Sequence, residues 1–496
     1  MAPNRRWFLW SVLGLSLAAA AIRFPTLGLQ SYRHDEAVTA GRVLLNSLGG
    51  TMHEVWRGES TPPLYYLLAW VWSRAFGVHE IGLRSLSALF GTAAVPLACL
   101  AGRELRGPRT GIALGALVAF NPLLIWYSQD ARSYALLVLT TTAAFYFFLR
   151  ARRGGGRDLA GWAACSALAL ATHYFAFFPL AMEAVWLLIE VRPWRRVLAA
   201  VAVPVLAGLA LAPIALHQAA GGNNNWIASF RLTRRLHDAA LAFLAGETGL
   251  LRHALVPAAL LAAAVVLLLW RGGQRDRRAA AVALAVGAGA IALTLAFAAA
   301  GQDFVLARNL LVALVPLLAV AALGIGSARS GWLGIAVGTA LAAYWLAFGV
   351  YVDLRPALQR EDWRGAAAAI GPPSARPRAI VAWQQGGEPL SFYLAGVQKE
   401  AKWRRWRLGP VPVAEVDVVS GRPPPRRHGA LPPAFHQVEI RPLGRMTLVR
   451  YRAARPLPLR WPQLHRNFTG YPNNAILLDG GDAVHQLEAE PSRLTR

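Results

Sequence analysis

Lysine, cysteine and the acidic residues are all scarce in this chain, and each shortage excludes a class of protein. Lysine occurs only at Lys399 and Lys402, so nearly all of the positive charge is arginine. This Ala- and Arg-rich, Lys-poor usage points to a GC-rich bacterial genome. The two cysteines, Cys99 and Cys165, each sit inside an apolar stretch, which makes them small packing residues rather than a disulfide or a metal pair. Acidic residues number 26 against 51 basic ones, giving a net charge of +25. Nucleic acid is not the expected partner, because most arginines lie in short clusters between apolar blocks, where they orient a membrane chain. No internal repeat and no phosphate-binding glycine motif such as a P-loop is present.

What the chain has in abundance is apolar sequence. Its 496 residues are 55% hydrophobic with a mean hydropathy of +0.37, and the apolar residues form long blocks instead of alternating. The expected class is an all-α polytopic membrane protein in contact with lipid. Spans of about 20 apolar residues place helices near 7–23, 81–102, 110–127, 132–149, 159–175, 178–191, 197–216, 251–270, 279–300, 309–326 and 332–352, about eleven in total. The segment 178–191 is the shortest. Arg5-Arg6, the apolar run 7–22 and small residues at 18–21 also fit a cleavable secretory signal, but retention as an anchor is the expectation, and either reading sends the loop after residue 23 to the outer face.

Arginine supports this topology. With Arg5 and Arg6 inside, the inner loops carry arginine at 103–109, 150–157, 192–196, 271–278 and 329, while the short outer loops hold little beyond Arg132 and Arg308. The alternation requires that the stretch 62–76 does not cross. It is therefore expected to lie in the outer interface, opened by Pro62-Pro63 and rich in Tyr65, Tyr66, Trp70 and Trp72.

Four polar sets then collect on one face: Arg33-His34-Asp35-Glu36 in the first outer loop (24–80), Ser128-Gln129-Asp130-Ala131-Arg132, His173-Tyr174, and Gln302-Asp303 with Arg308. Carboxylates at a bilayer surface are costly unless they act, so Asp35-Glu36 marks the candidate active face. After residue 352 the chain becomes Pro-rich and charged. Residues 353–496 are expected to form a small α/β domain outside the membrane, with a helix at 361–370, strands at 379–383, 411–419, 437–440 and 446–451, and a loop-like, poorly ordered end from about 456. Asn467-Phe468-Thr469 matches a glycosylation acceptor, a pattern common by chance.

Taken together, several segments resemble the GT-C membrane glycosyltransferases, near the protein O-mannosyltransferases and the lipid A aminoarabinose transferase. They are the Asp-Glu pair, Pro62-Pro63-Leu64-Tyr65-Tyr66, the segment 126–136 around Gln129-Asp130-Ala131-Arg132, Thr172-His173-Tyr174, Ala307-Arg308-Asn309 and the tail motif Glu361-Asp362-Trp363-Arg364. The resemblance implies a GT-C fold, a polyprenyl-phosphate-linked sugar as donor, a lipid, glycan or protein acceptor, inversion at the anomeric carbon, and no cofactor or essential metal. A polyprenyl phosphate already leaves readily, so such an enzyme must supply a base for the acceptor hydroxyl and cations for the departing phosphate. On that alignment Asp35 and Glu36 are the catalytic acids. Asp35 serves as base, and Glu36, about 100° further round if helical, orients Asp35 or the sugar. Arg132 and Arg308 are the donor-phosphate partners. Arg33, His34, Asp130, His173, Tyr174, Tyr65 and Tyr66 support them, with Asp130 pairing with one of the arginines or touching the sugar. The sequence departs from the aminoarabinose branch where Glu59-Ser60-Thr61 replaces a basic residue before the proline pair.

Structural alternatives stand beside these roles. Asp35-Glu36 could cap an interfacial helix, Asp130 and Arg132 could be an ion pair at a helix start, and Tyr65 and Tyr66 could be interface anchors. Two other functions compete with transfer. A transporter or flippase of a lipid-linked sugar should show inverted halves and buried mid-membrane charge. A membrane-anchored assembly protein would place its specificity in the tail.

Overall fold

A computed structural model describes residues 3–153, 155–222, 226–248, 250–372, 374, 376–395, 410–421, 431–460, 463–464 and 474–479. The chain divides into two compact units: Met1–Leu27 with Val43–Tyr351, and Gly28–Arg42 with Val352–Arg496. The part of the first loop that carries Asp35 and Glu36 therefore folds with the tail.

The described residues of the first unit are helices and their connections. Among the described residues seven helices are long and apolar enough to cross a membrane: Glu80–Arg106, Tyr134–Ala151, Trp194–Ala220, Leu251–Arg271, Gln274–Ala299, Ala307–Gly326 and Ala328–Asp353. An eighth is reached if Pro108–Phe120 and Pro122–Ser128, bent by 59°, count as one span. The sequence suggests about eleven because it counts three further apolar runs, one of which is Pro3–Arg23, a helix of 21 residues that is not among the seven. The other two fold as Gly156–Thr172, with 17 residues, and Phe177–Glu190, with 14, both short of the ~20 that a span needs. The 59° bend has a local cause: the Asn121 side chain accepts from the amides of Leu123 and Leu124 and caps a new helix whose first residue is Pro122. Leu64–Phe76 is a separate helix of 13 residues, about 20 Å long, against a hydrocarbon core of about 30 Å.

Small residues let these helices pack closely. A Cβ on Gly111 would lie 2.4 Å from the Cys99 carbonyl oxygen, and one on Gly115 would lie 2.1 Å from the Cys99 sulfur, so Glu80–Arg106 and Pro108–Phe120 meet along a strip that tolerates nothing larger. Cys99 is thus a packing residue. Arg23, fully buried at the end of the helix Pro3–Arg23, donates to the Ala119 and Val118 carbonyls and to Ser128 Oγ, filling acceptors that the bend leaves open. Gln129 completes this knot by donating to the Arg23 carbonyl and to Thr26 Oγ1. The turn that leads to Arg132 is fixed from behind.

The second unit is built on a five-stranded sheet of β1 (Arg378–Trp383), β2 (Val411–Gly421), β3 (His436–Leu443), β4 (Met446–Leu459) and β5 (Asn474–Asp479), in the order β3-β4-β2-β1-β5. Among these described strands only β1 and β2 pair in parallel. β5 lies in the region expected to be loop, whereas Asn467-Phe468-Thr469 and residues 480–496 lie outside the described residues. The β3–β4 hairpin turns on two residues, and the first, Gly444, takes φ +57°, which a side chain would disfavour. On one face Trp363–Ile370 and Gly387–Ala395 cover Ile380, Ala382, Val419 and Leu448; the other face packs Val381, Val416, Val418 and Val449. The central strand also buries Asp417, which takes a bidentate pair of bonds from Arg450 at 2.7 and 3.0 Å.

Candidate functional site

In the membrane unit the site begins at Arg132, in the turn between Pro122–Ser128 and Tyr134–Ala151. Its guanidinium donates through Nη1 and Nη2 to the two oxygens of Glu59, at 3.2 and 2.9 Å, with both side chains almost fully buried. Tyr66 donates its hydroxyl to Glu59 Oε2 at 2.6 Å, and its ring lies 5.8 Å from the Arg132 guanidinium. Burial, with Glu59 beside it, holds the Tyr66 phenol well above its ordinary pKa, so it remains a donor. Tyr65 packs edge-on against Tyr66 at 5.6 Å, and neither ring is exposed. These two tyrosines therefore line the interior of the unit, where interface anchors would face headgroups. Asp130 is buried, and its carbonyl accepts from the Arg132 amide.

A second wall carries His173, Tyr134 and Tyr127. His173 ends Gly156–Thr172 and caps the next turn by accepting from the Phe175 amide. Its ring lies 5.8 Å from Tyr134, and Tyr134 lies 4.7 Å from Tyr127. Both Arg132 and Arg308 act electrostatically on the His173 ring, and Arg308 also acts on Tyr127, so the two arginines border one aromatic cluster. Arg308 stacks near Trp226 at 5.8 Å. In the loop before it, Asp303 is held in a two-pronged pair by Arg235 at 2.7 and 2.5 Å, and Arg235 also donates to the Val305 carbonyl. Hydrogen bonding to the Arg235 guanidinium keeps the Asp303 carboxyl below its ordinary range. Tyr174 donates to Gln218 Oε1, and the Gln218 amide donates to the carbonyls of Val55 and Thr61, tying His173-Tyr174 to the segment that carries Glu59.

In the second unit, Asp35 and Glu36 fall on the short helix His34–Val38. The turn of about 100° per residue separates their environments: Asp35 is half-buried, whereas Glu36 is fully buried. Glu36 Oε2 accepts from the Arg33 amide at 3.0 Å, the carboxylate half of a capping box, and from Arg360 Nη1 at 2.7 Å. His34 Nδ1 lies 3.0 Å from the Gln385 carbonyl oxygen.

The candidates thus form two sets, each within one unit: Arg132, Arg308, His173, Tyr174, Tyr65, Tyr66 and Asp130 in the first, and Arg33, His34, Asp35 and Glu36 in the second. Sequence reasoning missed Glu59 as the partner of Arg132, and it missed Arg235, Gln218 and Arg360 altogether. The signal for Glu59 was its place as the acid just before Pro62-Pro63, and the signal for Arg360 was its position beside Glu361-Asp362-Trp363-Arg364. Chemically, two guanidiniums beside one aromatic cluster suit a phosphate, and a half-buried carboxylate suits proton transfer.

Residues 60–217 match the family model described as dolichyl-phosphate-mannose-protein mannosyltransferase. That segment contains Tyr65, Tyr66, Asp130, Arg132, His173 and Tyr174. Among solved structures, ArnT from Cupriavidus metallidurans in the apo state is similar over 88% of this chain and 97% of its own, at 16% identity and a TM-score of 0.53. The same protein bound to undecaprenyl phosphate matches over the same shares at 16% identity, with a TM-score of 0.51. The S. cerevisiae protein O-mannosyltransferase Pmt1-Pmt2 complex bound to the sugar donor aligns over 44% of this chain and 33% of its own, at 17% identity and a TM-score of 0.34. No match is found among curated proteins.

Proposed function

With a GT-C-fold chain related to the protein O-mannosyltransferases and ArnT as the starting point, we propose that it transfers a sugar from a polyprenyl-phosphate donor to an acceptor hydroxyl. The transfer inverts the anomeric carbon and takes place at the outer face of a bacterial plasma membrane, with the tail periplasmic or extracellular. What supports this reading best is that Arg132 and Arg308 both bear electrostatically on the His173 ring, which itself lies 5.8 Å from Tyr134. A departing lipid phosphate needs fixed cations, which Arg308 supplies together with Arg132, itself held in place by Glu59, and guanidinium stays charged where water is scarce.

In this reading the acceptor oxygen attacks the anomeric carbon, and the bond from that carbon to the phosphate oxygen breaks. The acceptor proton passes to Asp35, and the electron pair leaves with the polyprenyl phosphate, whose charge Arg132 and Arg308 receive. Asp35 is the proton acceptor, and Glu36, held by Arg360 and by the Arg33 amide, supports it. Asp130, Tyr65, Tyr66, His173 and Tyr174 shape the surroundings of the sugar and phosphate. No residue is assigned to a metal.

The test is transfer from a set of radiolabelled polyprenyl-phosphate hexoses and pentoses by membranes carrying the wild-type chain or Asp35→Asn. Loss of transfer with normal insertion supports the reading, and the active donor names the sugar. Wild-type transfer by Asp35→Asn removes Asp35 as the base. No transfer from any donor by the wild-type chain shifts the weight to transport or assembly.

A further inference from the structure

The geometry points to Arg360 as a positioning residue that sets Asp35 through Glu36, so that the tail is part of the catalytic apparatus; this rests on Asp35 being the base. Glu36 and Arg360 stand 324 positions apart in sequence and meet at 2.7 Å, with side chains 0% and 2% exposed. Burying two charges is costly, and such a pair contributes little stability beyond what apolar residues of similar size would give. Its use is to fix one geometry. Asp35 is the residue just before it on the same short helix, so clamping Glu36 fixes the direction in which Asp35 projects.

The surrounding contacts fit that role. Arg364 Nη2 donates to the Gly28 and Leu29 carbonyls, and the Arg360 amide donates to Gln30 Oε1. Ser31 Oγ donates to the Glu361 carbonyl at 2.7 Å and accepts from the Trp363 amide at 2.9 Å. The Tyr32 amide donates to Tyr393 Oη, and Arg42 pairs with Glu388. These bonds seat the strip 28–42, and Arg360 reaches the Asp-Glu pair itself through a direct ion pair. The motif Glu361-Asp362-Trp363-Arg364 is then a mounting: Asp362 caps the helix Trp363–Ile370, and Trp363 packs on Trp383 at 4.5 Å.

The experiment compares Arg360→Gln, Arg360→Lys and Asp35→Asn in the full-length chain, with a polyprenyl-phosphate sugar that the wild type uses. Misplacing a reacting group by about 1 Å costs on the order of 10²-fold, so Arg360→Gln should lower kcat by that order and leave the donor KM unmoved, with part of the loss recovered in Arg360→Lys. Amide exchange at residues 33–39 should rise in Arg360→Gln while β1 stays protected. If Asp35→Asn abolishes transfer but Arg360→Gln keeps wild-type kcat, the positioning role is wrong and the carboxylate reading stands. A loss of protection in β1 equal to that at 33–39 also overturns it, since it would mean general unfolding of the tail. If Asp35→Asn transfers normally, the carboxylate reading itself has failed. Should Arg360→Gln not fold, Glu36→Gln/Arg360→Gln removes both charges and carries the same comparison. Wild-type kcat in that double variant overturns the inference, and a lowered kcat with β1 protected supports it.

Discussion

Replacing Glu59 with glutamine should destabilise the membrane unit by about 3 kcal/mol while changing almost no volume. Glu59 accepts two bonds from Arg132, at 3.2 and 2.9 Å, and one from Tyr66 at 2.6 Å. Glutamine keeps the shape but turns one acceptor into a donor. In either orientation its NH2 group faces a donor of Arg132, and Arg132 loses the charge it faces. A hydrogen bond to a charged group is worth about 1.5–3 kcal/mol, and breaking a buried pair from one side costs about 3–5 kcal/mol. With an unfolding entropy of about 2.1 cal/mol/K per residue, 1 kcal/mol moves the melting temperature of a unit of this size, more than 300 residues, by roughly 1.4 °C, so a drop of about 4 °C is expected in detergent. Glu59→Gln/Arg132→Met, which removes both charges, should regain most of it. A drop of under ~1 kcal/mol for the single variant, or a double variant no more stable than the single, refutes the argument that the pair is a buried, mutually dependent unit.

The same geometry leads to two more expected outcomes. Arg308→Lys keeps the charge but loses the planar fork, so kcat/KM for the lipid-linked donor should fall by about tenfold or more, roughly 1.4 kcal/mol, with unchanged melting; steady-state transfer across donor concentrations measures it. Asp303, whose carboxyl is lowered by Arg235, contributes stability that is present at neutral pH. That contribution is lost as pH falls below the ordinary aspartate value of about 3.9 and through the lowered one. Melting followed from pH 7 to pH 3 should therefore fall more steeply at the acid end for the wild type than for Asp303→Asn, which starts lower at pH 7; parallel curves would contradict the pairing.

Local patterns in the sequence carried much of this. The Arg clusters, the Pro62-Pro63 opening and the membrane-length blocks led to a polytopic helical fold, and β-branched runs located four of the five strands. The bend at Asn121-Pro122 was hidden because 110–127 is apolar on both sides of it, although a capping Asn followed by Pro is the usual mark of a helix start. Arg132, Arg308 and His173 were legible as polar residues where apolar ones are the rule. The partners of Arg132, Asp303 and Glu36 were not: no local pattern marks Glu59, Arg235 and Arg360 as buried, and only tertiary folding buries them. Tyr65 and Tyr66 misled for the related reason that an aromatic-rich apolar helix has the same composition whether its rings face headgroups or protein.

Since residues 28–42 fold as part of the tail, the boundary that matters for recombining this chain is not the one at the end of the last span. A chimaera that exchanges only residues 352–496 would set a foreign socket against Gln30, Ser31, Tyr32 and Glu36, and even a well-folded donor tail would leave the Asp-Glu pair badly seated. Moving 28–42 together with the tail keeps plug and socket matched. The two segments, far apart in sequence, are therefore expected to vary as one heritable piece, so a substitution at Glu36 is tolerated chiefly when position 360 changes with it.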